Sequence, residues 1–259
     1  MRPLLRGRES DDLRVANASR FGDGRREQQP PLLPAAGARV VNARGIPGSV
    51  GFLAVTRHDR RLVLVTAHHV LFGDGAREGE PVWCSHDSSS TSLRCIGHSL
   101  YGRSGPVRGD SRGVYVDCGA ASVAVEETGC GSLVKHNADT DCSLAVGERV
   151  TKIGAATGFT EGEVVSTAYA ARIVRDDRND AVGQVLIRSS AGRRPFSSAG
   201  DSGAAVLNER GDVVALLWGV APQGDSLACP IARVLYVLNV APVCWLPNGN
   251  RDLLVSEAS

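Results

Sequence analysis

The sequence lacks an excess of charge of either sign. Its 259 residues include 29 Lys and Arg and 28 Asp and Glu, for a formal net charge of +1 at pH 7. Proteins that bind nucleic acid through the phosphate backbone usually carry a basic patch, so no nucleic-acid partner is expected. Arginines within the first 26 residues are interleaved with acidic residues, a pattern that favours a solvated arm over a basic binding tail.

Long hydrophobic runs are also missing. No stretch approaches the roughly 20 apolar residues that a membrane-spanning helix needs, and residues 1–8 contain no apolar core of a secretory signal. We therefore expect no membrane association and a cytoplasmic location. A mature fragment that has lost its signal is the alternative.

The cysteines do not form a complete set of pairs, because their number is odd. Reduced thiols in an intracellular protein fit this count better than a disulfide framework. Cys84, His86, Cys95 and His98 are zinc-ligand types at short spacings, but the spacing is not that of a standard zinc site. Neither a metal nor a cofactor is expected. The seven cysteines are residues 84, 95, 118, 130, 142, 229 and 244.

Short runs of β-branched and aliphatic residues recur from residue 38 onward, between Gly-rich turns. This pattern is typical of an all-β sandwich or barrel. One helix is predicted, over residues 231–240, with Pro230 in its first turn. Residues 1–37, rich in Arg, Asp, Glu, Gln and Pro, read as a flexible arm, and residues 247–259 as a C-terminal tail.

The tetrapeptide Gly200-Asp201-Ser202-Gly203 predicts a serine exposed in a tight turn. Glycine tolerates unusual backbone angles and lets a substrate approach closely. In such a turn the amides of Gly200 and Ser202 can point at one site and stabilise a negatively charged oxygen. Ordinary turn chemistry is the alternative explanation.

A second motif lies upstream, where the apolar strand 62–65 leads into Thr66-Ala67-His68-His69. A histidine at the end of a buried strand is held rigidly, as a general base must be. Here the chain resembles the chymotrypsin-like serine proteases, whose histidine motif is Thr-Ala-x-His followed by Cys or Val. The match identifies His69 as the base and His68 as its neighbour. A histidine pair that merely ends a strand is the alternative.

The resemblance implies a fold of two six-stranded antiparallel β-barrels with a C-terminal helix. It implies a protease domain over residues 38–246, with lobes of approximately 38–130 and 131–246. Val70 stands where many extracellular members carry a cysteine beside the catalytic histidine. That disulfide bond cannot form here, which also favours reduced thiols.

A general base of this kind needs a buried carboxylate to orient the imidazole and stabilise its positive charge. Asp117 is the best candidate, because it follows the strand 114–116 and precedes the small and apolar residues 118–125, similar to the family's pattern. Asp141 is the runner-up. An aspartate at a strand edge with no catalytic role is the alternative.

The segment 150–164 is similar to a Gly-rich hairpin of bacterial members such as the streptogrisins. In animal members a newly cut N-terminal amine pairs with the aspartate before the nucleophile, whereas streptogrisin-like enzymes use an internal arginine near this hairpin. Lys152 stands in that register, so the resemblance predicts a Lys152–Asp201 ion pair. A solvated lysine is the alternative, and residues 39–41 offer only a weak site for an activating cut.

Specificity is expected from two further segments. Phe196 lies six residues before the nucleophile, where the family has the base of its S1 pocket, and it argues against strict cleavage after Arg or Lys. Leu217-Trp218-Gly219 resembles the strand that pairs with substrate backbone, although Trp218 is alternatively a core residue. Asp225 is expected to be a solvated loop acid rather than a pocket residue.

The function implied by this resemblance is that of a serine endopeptidase that works through an acyl-enzyme intermediate. Ser202 is the nucleophile, His69 the general base and Asp117 its orienting carboxylate. The substrate is a protein or peptide, and a regulated processing protease with a regulatory protein partner fits the composition. A catalytically inactive member that serves as a protein-binding module is the alternative.

Overall fold

The computed structural model describes residues 33–107, 113–124, 131–135, 144–172, 180–192 and 194–247. For residues 131–135, 180 and 244–247 it describes the backbone alone. Asp141, Cys130 and Cys142 lie outside the described residues.

The described residues form two antiparallel sheets and two short α-helices. The N-terminal sheet has nine strands: β1 (Arg39–Val41), β2 (Pro47–Ser49), β3 (Phe52–Thr56), β4 (Leu62–Thr66), β5 (Pro81–Cys84), β6 (Arg94–Val107), β7 (Val114–Ser122), β8 (Gly131–Lys135) and β15 (Val240–Pro247). The C-terminal sheet has six: β9 (Arg149–Gly154), β10 (Gly158–Arg172), β11 (Asp180–Ser189), β12 (Ala205–Leu207), β13 (Val213–Val220) and β14 (Ser226–Pro230). The helices are α1 (His68–Phe72), which leads into a 3₁₀ turn over Gly73–Gly75, and α2 (Ile231–Leu238).

The two sheets confirm the predicted all-β fold with two barrel-like lobes. In the C-terminal lobe the strands close in the order β10-β11-β14-β13-β12-β9, a six-stranded barrel. The N-terminal lobe differs from the expected closed barrel, because its strands form a half-barrel in the order β2-β1-β5-β6-β7-β4-β3-β15-β8. Strands β8 and β15 both belong to this sheet, so segments from both predicted lobes pair within it.

The predicted C-terminal helix is present as α2, but it ends earlier than expected. Asn239 adopts a left-handed conformation (φ 50°, ψ 49°), and its amide donates to Leu235 O and Tyr236 O. This arrangement caps the last turn of a helix. The chain then enters β15, which pairs with β3 from Val240 to Val243.

Helix α2 packs against both lobes. Its buried residues Ile231, Val234, Leu235 and Leu238 follow helical spacing and form one apolar face. That face packs in a core cluster containing residues of both lobes, among them Val65, Val116 and Leu216. The lobe interface therefore provides a rigid base for side chains arriving from either sheet.

Neither helix of the described chain is long and apolar enough to cross a membrane.

Candidate active site

The end of β4 and the middle of β7 bring His69 and Asp117 together. The last register pair between these strands joins Thr66 to Gly119, so the chain just past Thr66 lies beside the residues just before Gly119. Helix α1 begins there, anchored by the buried side chains of its Val70 and Leu71.

His69 and Asp117 are held by two hydrogen bonds. Asp117 Oδ1 lies 3.1 Å from His69 Nδ1 and accepts the His69 amide at 3.2 Å. The Asp117 side chain is 5% exposed and the His69 side chain 41% exposed. A buried carboxylate at Nδ1 fixes the imidazole and leaves Nε2 to accept a proton, the arrangement that a general base needs.

The His68 side chain has different contacts from that of His69. Its ring packs against that of Phe72 at a centroid distance of 4.9 Å, and burial lowers the pKa of its imidazole, although the charge of Asp117 partly opposes this shift. His69, and not His68, therefore forms the hydrogen bond with the Asp117 carboxylate.

The Ser202 turn docks directly onto the segment that carries His69. Gly203 has a φ of +93°, and a Cβ built there would lie 2.0 Å from Thr66 Oγ1 and 2.9 Å from the Ala67 amide nitrogen. A Cβ at Gly48 would meet both the Val70 side chain at 2.4 Å and Ser202 O at 2.8 Å. Glycine is required at both positions because the two segments are in contact, and this contact sets Ser202 beside α1.

The Ser202 hydroxyl faces strand β13. Its Oγ lies 3.5 Å from Trp218 O, and within the described residues no hydrogen bond joins it to His69. Catalytic hydrogen bonds in ligand-free sites are often long and shorten only when substrate binds. A rotation about the Ser202 Cα–Cβ bond redirects the hydroxyl without any backbone change.

Two amides beside Ser202 have no hydrogen-bond acceptor among the described residues. They are those of Gly200 and Ser202, whereas the intervening Asp201 amide donates to Ser198 O at 3.0 Å. Gly200 has a φ of +98°, which glycine adopts without strain. Free backbone amides close to a serine are donors of the kind that an oxyanion hole uses.

Ser49 fixes the carbonyls of the same turn, a role that the sequence did not reveal. Its hydroxyl donates to Gly200 O at 2.9 Å, and its amide donates to Ser202 O at 2.8 Å. Ser49 Oγ also accepts the Ala155 amide at 2.9 Å, and Ser49 O accepts the Thr66 hydroxyl at 2.8 Å. Nothing in the sequence around Ser49 distinguishes it from other serines, because all its partners are distant in the chain.

The Asp201 carboxylate sits in a cradle formed by the turn between β9 and β10. Oδ1 accepts the amides of Ala156 (2.9 Å) and Thr157 (3.1 Å), and Oδ2 accepts the Ser198 amide (3.0 Å) and the Thr157 hydroxyl (2.7 Å). A Cβ at Gly154 would lie 2.3 Å from Asp201 Oδ1. The cradle therefore needs the glycine that the hairpin motif supplies.

Lys152 completes the cradle. Its Nζ lies 3.4 Å from Asp201 Oδ2 with both side chains fully buried, and it donates to the Thr157 hydroxyl and to Gly158 O. Burial would raise the pKa of Asp201, but the hydrogen bonds from Thr157 and Ser198 and the charge of Lys152 outweigh it and hold that pKa below its usual value. Burial lowers the pKa of Lys152 against the opposing effect of Asp201. A solvated Lys152 is therefore excluded.

Strand β13 presents an open edge next to Ser202. Its pairing with β12 reaches only Leu216 and Ala205, after which the Leu217 backbone bonds to Gly203 and Ala204. Beyond Leu217, no described strand pairs with β13 on this side. Leu217 is itself buried, so the free edge is that of Trp218 and Gly219.

Phe196, expected at the base of the S1 pocket, lies in the core of the C-terminal barrel. Its side chain is 1% exposed, its ring centroid is 5.8 Å from Lys152 Nζ, and its carbonyl accepts the Thr160 hydroxyl at 2.8 Å. The next residue, Ser197, shares a 2.6 Å hydroxyl contact with Ser226.

The expectation that Asp225 is solvated was wrong. Its side chain is buried and forms a double hydrogen bond to the Arg188 guanidinium, with Nε–Oδ1 and Nη2–Oδ2 distances of 3.2 and 2.9 Å. Arg188 comes from the neighbouring strand β11, a partner that the loop sequence around Asp225 does not reveal.

The cysteine and histidine segments considered as a zinc site do not converge. Among the described residues no three His, Cys, Asp or Glu side chains are grouped as metal ligands. Cys84, Cys95, Cys118 and Cys229 are free thiols, and burial raises the pKa of Cys84 to about 12.

Comparison with known proteins identifies the fold. No family model and no curated protein matches the sequence. Among solved structures, the chain is similar to Thermobifida fusca protease A (17% identity, TM-score 0.51, 80% of this chain and 96% of that one). It is also similar to Nocardiopsis protease (14%, 0.52, 80% and 97%) and to a glutamic acid specific serine protease (16%, 0.51, 80% and 98%). The chain thus has the chymotrypsin-like fold of bacterial serine proteases.

Proposed function

We propose that this protein is a serine endopeptidase with Ser202, His69 and Asp117 as its catalytic triad. One observation carries the proposal: a buried carboxylate holds His69 Nδ1 beside a serine whose flanking amides have no partner among the described residues. A structural histidine has no need of such amides. The family resemblance of the motifs around His69 and Ser202 supports the same assignment.

In the proposed reaction, Ser202 Oγ turns from Trp218 O toward His69 Nε2 and attacks the scissile carbonyl carbon. His69 takes the hydroxyl proton, and Asp117 stabilises the imidazolium. The Gly200 and Ser202 amides bind the oxyanion, and loss of one such donor typically slows reaction by about 100- to 1,000-fold. His69 then gives its proton to the leaving amine, and water hydrolyses the acyl-enzyme by the same steps in reverse.

The open edge of β13 at Trp218 and Gly219 is proposed to bind substrate. An extended peptide can add to such an edge through main-chain hydrogen bonds. For the P1 residue, the Asp225 carboxylate is already paired with Arg188, which argues against a strict preference for Arg or Lys. The proposed substrate is therefore a protein or peptide that is not cleaved strictly after Arg or Lys.

The Lys152–Asp201 pair supports a site that needs no proteolytic activation. The internal ammonium occupies the place that a cut N-terminal amine would otherwise take, and the streptogrisin-like hairpin supplies it. We further propose a cytoplasmic protein with reduced thiols that processes its substrates under the control of a protein partner. The buried free thiols of Cys84, Cys118 and Cys229 are compatible with that location.

One observation favours a second candidate function. The Ser202 hydroxyl is bonded to Trp218 O and not to His69, as would suit an inactive member of the fold that binds a protein partner. This binding module would keep the peptide-binding edge of β13 and lack hydrolysis.

Cleavage of a peptide library separates the two candidates. Wild-type protein is incubated with the library beside a Ser202→Ala variant, and products are identified by mass spectrometry. The endopeptidase predicts products with wild type only, whereas the binding module predicts none with either protein. Products that are equal with both proteins would point to a contaminating protease and refute the assignment of Ser202.

A further inference from the structure

Where β7 carries Asp117, no described strand pairs with one of its edges. Strand β4 pairs with β7 only from Gly119 to Ser122, whereas β6 covers the other edge from Val114 to Ala121. On the open edge, Tyr115 O and the Asp117 amide point the same way, because residues two apart on a strand do so. Both groups are buried in the lobe interface, so each needs a hydrogen-bond partner.

The C-terminal barrel supplies those partners as side chains. Gln184, fully buried on β11, donates its Nε2 protons to Tyr115 O at 2.8 Å and to Val182 O at 3.0 Å. The Asp117 amide donates to Cys229 Sγ on β14 at 3.3 Å. Two residues of one barrel thus take the place of a missing strand in the other.

The Gln184 carbonyl oxygen joins these contacts to the substrate edge. Oε1 accepts the Trp218 indole N–H at 2.7 Å and the Cys229 thiol at 3.6 Å. Burial raises the pKa of Cys229 well above its usual value, so the thiol keeps the proton that it donates. The Trp218 ring also packs on Tyr115 at a centroid distance of 5.3 Å.

We propose that Gln184 is a positioning residue that holds Trp218 of the substrate edge and Asp117 of the triad in fixed relation across the lobe interface. All four hydrogen-bonding positions of its amide are used, and a fully satisfied buried network rigidifies the groups that it joins. The path runs from Trp218 through Gln184 and Cys229 to the Asp117 backbone. This inference rests on the proposed function.

The network has two arms, which separate variants can cut. Trp218→Phe removes the indole donor and part of the ring that packs on Tyr115 and should raise KM while kcat stays near the wild-type value. Cys229→Ala removes the contacts of the thiol to the Asp117 amide and to Gln184 Oε1 and should lower kcat while KM stays. Gln184→Met keeps the length of the side chain but loses every hydrogen bond, so it should change both.

The experiment measures kcat and KM per active site, counted by titration with a fluorophosphonate, so that unfolded protein is not scored. Gln184→Met should lower kcat/KM by about tenfold or more, the effect of losing one or two buried hydrogen bonds. Gln223→Met, the same change at an exposed glutamine of the β13–β14 loop, is the matched control and should match wild type.

A second readout does not depend on hydrolysis. The proton of the His69 Nδ1–H···Asp117 hydrogen bond is followed by NMR in a Ser202→Ala background. Gln184→Met and Cys229→Ala should shift this resonance, whereas Gln223→Met should not.

The outcomes distinguish this inference from the proposed function. Wild-type kcat and KM per titrated site in Gln184→Met, with only a lower melting temperature, would show a merely structural residue and overturn the inference. If the fluorophosphonate did not label the wild-type protein, the proposed protease function would be refuted. An NMR shift in Gln184→Met would then still support the coupling of Gln184 to Asp117. An unmoved resonance would overturn that coupling as well.

Discussion

The Lys152 ammonium and the Asp201 carboxylate lie 3.4 Å apart with both side chains fully buried. Asp201 immediately precedes Ser202 and lies between the Gly200 and Ser202 amides, which have no acceptor among the described residues. The Asp201 side chain anchors the turn that carries both amides. The same carboxylate accepts four further hydrogen bonds from the β9–β10 turn and Ser198, so the turn is formed before any substrate arrives.

The first prediction concerns this pair. Lys152→Met leaves a buried carboxylate without its counter-charge and should lower the free energy of unfolding by about 3–5 kcal/mol, while slowing reaction of the folded protein with a phosphonate. Uncut wild-type protein should react at once. Arg149→Met, an exposed change on the same strand, is the control. Activity that appears only after removal of the first forty or so residues would refute internal activation.

The second prediction is a dependence of stability on pH. The folded state holds the pKa of Asp201 below its usual value, so in acid the unfolded chain takes up a proton before the folded one does. The stabilisation is present above the ordinary aspartate pKa of about 3.9 and is lost as pH falls through the lowered value. Chemical denaturation between about pH 5 and pH 2 should show a shallower decline for Asp201→Asn than for wild type. Asp74→Asn, at an exposed carboxylate, should decline like wild type.

The third prediction separates the adjacent histidines. His69→Ala removes the imidazole bound to Asp117 and should lower kcat by about 10⁴-fold or more. His68→Ala removes a ring that packs against Phe72 and should cost far less. Steady-state cleavage of one peptide by both variants decides between them. If His68→Ala were the inactive variant, the assignment of the base would be displaced by one residue.

The fourth prediction concerns the orienting carboxylate. Asp117→Asn preserves the size of the side chain but favours the wrong imidazole tautomer, so kcat should fall by about 10⁴-fold with the fold retained. Asp141→Asn, at a residue outside the described part of the chain, is the control because Asp141 is the competing candidate. A large loss in Asp141→Asn together with an active Asp117→Asn would reassign the role.

The features that the sequence predicts are those encoded locally. The all-β pattern, helix α2 and the motifs around His69 and Ser202 each lie within a few neighbouring residues. The pairing of Lys152 with Asp201 could be predicted only because segment 150–164 is similar to a hairpin of bacterial serine proteases. In each case short-range chemistry or a resemblance supplied the information.

The features that the sequence does not predict depend on partners distant in the chain. Ser49 meets Gly200 and Ser202 only after the lobes associate, and Asp225 is buried because Arg188 reaches it from another strand. Strand β15 follows α2 directly, but it pairs with β3 and β8, which are distant in the sequence. Gln184 is an ordinary polar residue of β11 until Tyr115 and Trp218 are placed around it.

The central claim is that Ser202 is an activated nucleophile, and mapping of a phosphonate adduct tests it most directly. Uncut full-length protein is treated with a fluorophosphonate, digested and sequenced by mass spectrometry, beside Ser202→Ala. The account predicts one adduct, on Ser202, which is absent from Ser202→Ala and lost when His69 is changed to Ala. No adduct on the folded wild-type protein, or an adduct on another serine that persists in Ser202→Ala, would contradict it.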